Sequence, residues 1–320
     1  MKIKYINKKN IISLSITLLL GCFLLSQIDY RNISGLFDEI NYVYILISFI
    51  VYFFLTFIRA LRIKTLINCN NNKSNMKDLT AIVMVNSLVM CLLPFRTGEI
   101  SLPILLKKYS GVESKEGFLM LLYLRVIDTL VLLIFFLIAA SLFSGSIIQL
   151  QGIAHLFVLI LVIFIALILL KGDKILLGLG DFFKNINNSK ISSKMAESIY
   201  KLKSVYKFYK NKTKTIFILS ILIFTFLIFV SGFVLKAYPI DLSYVDITII
   251  SLIVVGVMSL PINGIAGIGS VELGISSYLI SIGVGNDLSI SVAFSYHFIY
   301  LIFVIFFGGL SYLYLRQRND

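Results

Sequence analysis

Apolar runs follow one another along almost the whole chain, at 11–28, 42–61, 79–93, 100–106, 118–143, 147–170, 216–235, 244–260, 270–282 and 288–315. A helix needs about 20 apolar residues to cross the hydrocarbon core of a bilayer. Six runs meet or approach that length and predict full spans: 11–28, 42–61, 118–143, 147–170, 216–235 and 288–315. The other four fall short and come in two pairs, each pair parted by a turn of helix breakers. The first turn reads Leu93-Pro94-Phe95-Arg96-Thr97-Gly98-Glu99. The second runs from Pro261 through Gly264, Gly267 and Gly269 to Glu272. Each pair predicts a re-entrant hairpin, at about 79–106 and about 244–282. Backbone broken at membrane depth survives only where protein or water covers it.

Composition sets the class. The chain of 320 residues is 58% apolar and 14% charged, with a mean hydropathy of +0.95. Soluble domains carry about 25% charged residues. The expected fold is therefore an all-α polytopic membrane protein, one membrane domain over 1–320 with no separate soluble domain. The N-terminal lysines before run 11–28 resemble a signal peptide, but no small-residue cleavage pattern follows, and an uncleaved first span is expected.

Charge then orients the spans, since Lys and Arg gather on the cytoplasmic side. Segments 59–78 and 107–117 are both basic, and 171–215 holds eleven lysines. The first hairpin accordingly starts and ends in the cytoplasm. Segment 236–246 and Asp287 lack net positive charge, which places the second hairpin's ends outside. Both termini fall inside, and the two halves form an inverted repeat of the kind that places a site at the midplane between broken helices. The alternative, with every run a full span, puts a strongly basic loop on the wrong side. Within 171–215, Met195, Ile199, Leu202, Val205, Tyr206 and Tyr209 recur at helical spacing among lysines. That pattern fits either an amphipathic helix on the anionic leaflet or an ordinary solvated loop. The net charge of +13 follows from this sidedness and points to anionic lipid, with no nucleic-acid partner.

Ionisable groups inside such sequence face a partner or a wet cavity. Arg96 and Glu99 flank Gly98 and share a face if a helix begins after Pro94. They would either meet an anionic headgroup at the helix N-terminus or pair with one another to lock the hairpin. Arg125 and Asp128 are spaced to pair on one face of their span. Glu272 has no cation nearby in sequence, so its partner is another segment or the substrate. His297 reads as either a packing or a pocket residue, and Asn86 as a helix-to-helix donor. Arg59 and Arg62, one turn apart near a cytoplasmic helix end, read chiefly as interfacial anchors. The three cysteines (Cys22, Cys69, Cys91) have no paired spacing, and two histidines are too few for a histidine-rich metal site. No nucleotide-binding, metal or nucleophile–base motif is present in the sequence, so no cofactor is expected.

Taken together, Leu93 to Glu99, Arg125 with Asp128, and Pro261 through Gly267-Ile268-Gly269-Ser270-Val271-Glu272 resemble the lysylphosphatidylglycerol synthase transmembrane-region family of flippase-like membrane proteins. The likeness covers about 41–315. It implies translocation of a lipid, with Arg96, Glu99, Arg125, Asp128 and Glu272 at the family's polar positions. The chain departs from the family pattern at Leu124, where Glu is frequent, and at Val271 and His297, where Arg is frequent. No aminoacyl-transferase sequence accompanies the membrane part, so the resemblance implies movement of the lipid and not its synthesis.

The expectation is a flippase-like transporter in the cell (cytoplasmic) membrane for an anionic or aminoacylated phospholipid, such as lysylphosphatidylglycerol, or a polyprenyl-phosphate lipid. The substrate-binding set is Arg96, Glu99, Arg125, Asp128, Glu272 and His297. The hairpin turns rest on Pro94, Gly98, Pro261, Gly264, Gly267 and Gly269. An intramembrane transferase acting on lipid-linked substrates, and a non-catalytic partner of a separate glycosyl- or aminoacyl-transferase, are the two rival readings. A partner transferase and a second copy of the chain stand as candidate protein partners.

Overall fold

The computed structural model describes residues 40–67, 75–93, 97–142, 209–259 and 265–318, with scattered helical residues between 158 and 207. All regular structure among them is helical. The helices are α1 (Tyr42–Leu66), α2 (Met76–Leu92), α3 (Ser101–Ser110), α4 (Ser114–Leu142), α5 (Thr213–Lys236), α6 (Tyr244–Ser259), α7 (Ser270–Ser281) and α8 (Asn286–Gln317). Short 3₁₀ turns at Thr97–Ile100 and Ile265–Gly267 precede α3 and α7. Four helices, α1, α4, α5 and α8, are long and apolar enough to cross a membrane. The expected span 11–28 and most of 147–170 lie outside the described residues, as do Pro94, Arg96, Pro261 and Gly264.

Local chemistry sets the helix ends. Asn41 caps α1 through a bond from the Val43 amide to its Oδ1, 3.1 Å. Pro103 sits in the first turn of α3, where its missing N–H costs little. Gly111 closes α3 at φ 70°, the left-handed conformation glycine adopts without a Cβ penalty.

Helix α1 runs antiparallel to α5, and α8 antiparallel to α2. At one end of α1 the Asn41 amide bonds the Ala237 carbonyl just past α5, 2.9 Å, and the Ser48 hydroxyl bonds the Val230 carbonyl, 2.8 Å. Helix α8 lies along α2 with Gly308 against Leu88 and Met84, where an added Cβ would come within 2.6 Å of the Leu88 Cβ. Apolar surface gives little drive between helices in lipid, so such close small-residue contact supplies the packing. At the end of this pair Asp78, buried at the start of α2, receives Arg318 and the Tyr314 hydroxyl, the latter at 3.0 Å.

Two apolar clusters build the core. One gathers the C-terminal half of α1, α2 to α4 and the start of α5, around Ile63, Ile82, Met120 and Ile127. The other gathers the N-terminal half of α1, the end of α5 and α6 to α8, around Tyr52, Val234, Ile250 and Ile275. Large apolar side chains also face outward, including Phe53, Phe54 and Phe57 on α1 and Ile305, Phe306 and Leu310 on α8. An exposed apolar surface of that extent suits hydrocarbon and not water.

Helices α2 and α3 fold back on one another, as do α6 and α7. The open ends of the first pair lie beside the C-terminus of α8. Those of the second lie at the other end of the long helices, where the Tyr278 hydroxyl bonds Asp246 Oδ1 at 2.8 Å. The 3₁₀ turn of the second pair packs against α2 of the first. Tyr209, read as part of either a surface helix or a solvated loop, is instead buried against the Tyr123 ring, 5.3 Å between centroids, while Met195, Ile199, Leu202, Val205 and Tyr206 lie outside the described residues. It donates its hydroxyl to the Glu116 carbonyl at 3.4 Å. Burial, then the Glu116 carboxylate, pushes this phenol above its ordinary range.

Candidate functional site

Between the two clusters lies a cavity of about 460 Å³, walled by α1 to α6 and α8 and by Glu99. Its apolar lining includes Leu55, Val83, Leu121 and Phe224. Its polar lining holds Arg59, Arg62, Arg125, Glu99, Asp128, Asn86 and Tyr300. Three arginines and two carboxylates thus converge on one chamber inside apolar helices, where each is costly without partners.

Two ion pairs account for both carboxylates. Arg125 pairs with Glu99: its Nε donates to Oε2 at 3.1 Å, and Nη2 lies 2.9 Å from Oε1 as an ionic contact. Arg62 Nη1 bonds Asp128 Oδ1, and Nη2 reaches Oδ2 at 3.2 Å. Ser220 of α5 joins this pair, accepting from Arg62 Nη1 at 2.7 Å and donating to Asp128 Oδ1 at 3.1 Å. Arg62 is 8% exposed, and its Nε has no hydrogen-bond partner among the described residues.

These contacts correct two readings from the sequence. Arg125 and Asp128 share a helix face but do not pair; each takes its partner from another segment. Arg62 is not an interfacial anchor but a buried member of the chamber wall. The i, i+3 spacing places side chains on one side of a helix and says nothing of a better-placed carboxylate across a gap of several ångströms.

The first hairpin holds Glu99 in place by backbone approach. A Cβ on Gly98 would meet the Met90 Cα at 2.6 Å, so only glycine lets the turn lie against α2. Asn86 of α2 ties the limbs together, donating Nδ2 to Ser101 Oγ at 2.7 Å and to the Gly98 carbonyl at 3.3 Å. The sequence reading of Asn86 as a donor between helices matches this contact.

The second hairpin uses its carboxylate internally. Glu272 Oε2 accepts from the Gly269 amide at 2.7 Å, closing the first turn of α7 on itself. Its other oxygen, Oε1, meets His297 Nδ1 of α8 at 2.7 Å. Both side chains are almost fully enclosed, at 2% and 3% exposure, and neither lines the cavity. The turn itself depends on positive φ at Gly267 (78°) and Gly269 (89°). A Cβ on Gly267 would also strike Met258 Sδ at 2.5 Å.

Of the six expected substrate residues, the structure brings Glu99, Arg125 and Asp128 to one chamber and sets Glu272 and His297 apart as a closed pair. Arg96 lies outside the described residues. Arg59, read from the sequence as an interfacial anchor, lines the chamber instead, and sequence reasoning passed over Tyr300 of the chamber and Asp78 at the base of the first hairpin. For Arg59, the available clue is depth: it lies seven residues before the end of an apolar helix whose last turn already carries Lys64. No group of three or more potential metal ligands occurs among the described residues.

The family model of the lysylphosphatidylglycerol synthase TM region matches residues 10–308, and the chain belongs to that family. No curated protein and no solved structure matches the chain.

Proposed function

We propose that this membrane protein carries lipids between leaflets, admitting an anionic headgroup to the chamber between its halves while the acyl chains stay in the bilayer. The observation that supports this most is the concentration of charge: three arginines and two carboxylates line one cavity of about 460 Å³ whose walls include four helices of membrane-crossing length. Membership in the family adds a link to lipid or lysylphosphatidylglycerol metabolism or transport.

In this reading α2–α3 and α6–α7 are re-entrant hairpins entering from opposite faces, and six full spans surround them as an inverted repeat. Arg125, Glu99, Arg62 and Asp128 shape the headgroup chamber. Glu272 and His297 hold the second hairpin closed and reach substrate only when that hairpin moves. No ATP motif occurs in the sequence, so exchange runs down a gradient or couples to an ion.

Reconstitution tests it. Purified protein in vesicles carrying a fluorescent phospholipid should speed leaflet exchange, read by quenching from outside. Replacing both Glu99 and Arg125, as Glu99→Gln with Arg125→Met, should slow exchange by roughly tenfold, the loss of one charge-assisted contact. Unaltered exchange in that variant, or none above empty vesicles in the wild type, overturns the proposal. Chemical conversion of the lipid by purified protein would favour the transferase alternative.

A further inference from the structure

Both carboxylates of the chamber are held by arginines, whereas no acidic side chain among the described residues pairs with Arg59. Arg59 lines the cavity from α1, half-buried, and its described polar neighbour is the Tyr300 hydroxyl of α8. One turn further along the same helix, Arg62 also lines the cavity, and its buried Nε has no hydrogen-bond partner among the described residues. Two guanidiniums at i, i+3 thus face one cavity, one of them unneutralised by the described carboxylates and the other with a spare donor.

A cation in an apolar chamber needs a counter-charge, and the described wall supplies it none. We infer that Arg59 is the phosphate-binding residue of the chamber, and that the site takes a phosphate or phosphodiester headgroup bearing no ammonium. Phosphate oxygens match the fork of a guanidinium, and Arg62, in the same wall, keeps one donor unused by the described residues. A lysyl or other aminoacyl headgroup would bring an ammonium to a wall where Glu99 and Asp128 are already bound to arginines and where Arg59 repels it. The inference therefore narrows the transport reading, on which it rests, to anionic phosphate lipids.

Binding and transport are measured separately so that the two ideas can fail separately. In detergent, retention of phosphatidylglycerol is read by native mass spectrometry of the full chain. Arg59→Gln should weaken it by roughly tenfold, and Arg59→Lys should restore part, since a point charge replaces the fork. Lysylphosphatidylglycerol should bind the wild type at least roughly tenfold more weakly than phosphatidylglycerol. Equal binding of the two lipids, or unchanged phosphatidylglycerol binding in a folded Arg59→Gln variant, overturns the inference. Inorganic phosphate at millimolar concentration serves as the soluble competitor. Failure to displace the lipid supports a headgroup site, and full displacement marks a free-phosphate site and overturns the lipid assignment. If binding follows Arg59 but vesicles show no exchange, the transport reading fails and the phosphate site stands.

Discussion

Arg62 and Asp128 lie 66 positions apart and meet in a pocket that Ser220 closes from a third helix. Removing one member of a buried pair leaves the other charge uncompensated, a penalty of about 3–5 kcal/mol. Asp128→Asn should destabilise the protein by that margin, read in detergent as a lower thermal unfolding midpoint. The double replacement Arg62→Met with Asp128→Leu should recover most of it, because apolar side chains of similar volume need no partner. A double variant no more stable than Asp128→Asn would show that the pair contributes beyond its own neutralisation. At this scale the sequence supplied the ionisable residues but not their pairing. Arg125 and Asp128 sit three apart on α4 and point to different partners because helix spacing constrains only the near side of a contact.

Among the elements, the second hairpin depends most on one side chain. Glu272 bonds the Gly269 amide and His297 at once, so it fixes the start of α7 and ties α7 to α8. Glu272→Gln keeps the shape but gives up the charge. Local opening should then cost about 1–3 kcal/mol less, read as faster amide hydrogen exchange at residues 269–275 with α5 unchanged. Exchange unchanged at 269–275 would remove the clamp. The breakpoints of both hairpins were legible from Pro, Gly and run length, and α6 and α7 fall within one or two residues of the predicted runs. The first hairpin extends beyond its apolar runs at both ends, to Met76 and Ser110. Polar first and last turns escape a reading by hydropathy, and the left-handed Gly111 ends the second of them.

For the whole molecule, the two folded-back pairs open at opposite ends of the long helices. Lys115, at the base of the first pair, and Asn286, at the far end of α8, should therefore face opposite sides of the membrane. Single cysteines placed at these positions, with Cys22, Cys69 and Cys91 replaced by Ser, should react with an impermeant maleimide from opposite faces of oriented vesicles. Labelling of both from one face would sink the topology.

Hydropathy and the placement of lysine and arginine, each a property of consecutive residues, were enough to determine an all-helical membrane chain, its breaks and its expected sidedness. Burial of Arg62, the Arg125–Glu99 pair, the withdrawal of Glu272 into a pair with His297 and the exposure of Arg59 to the cavity were decided only by tertiary structure. The reason is physical: a charge inside apolar surroundings takes whichever partner the packing brings within about 3 Å, and packing joins residues that the sequence keeps far apart.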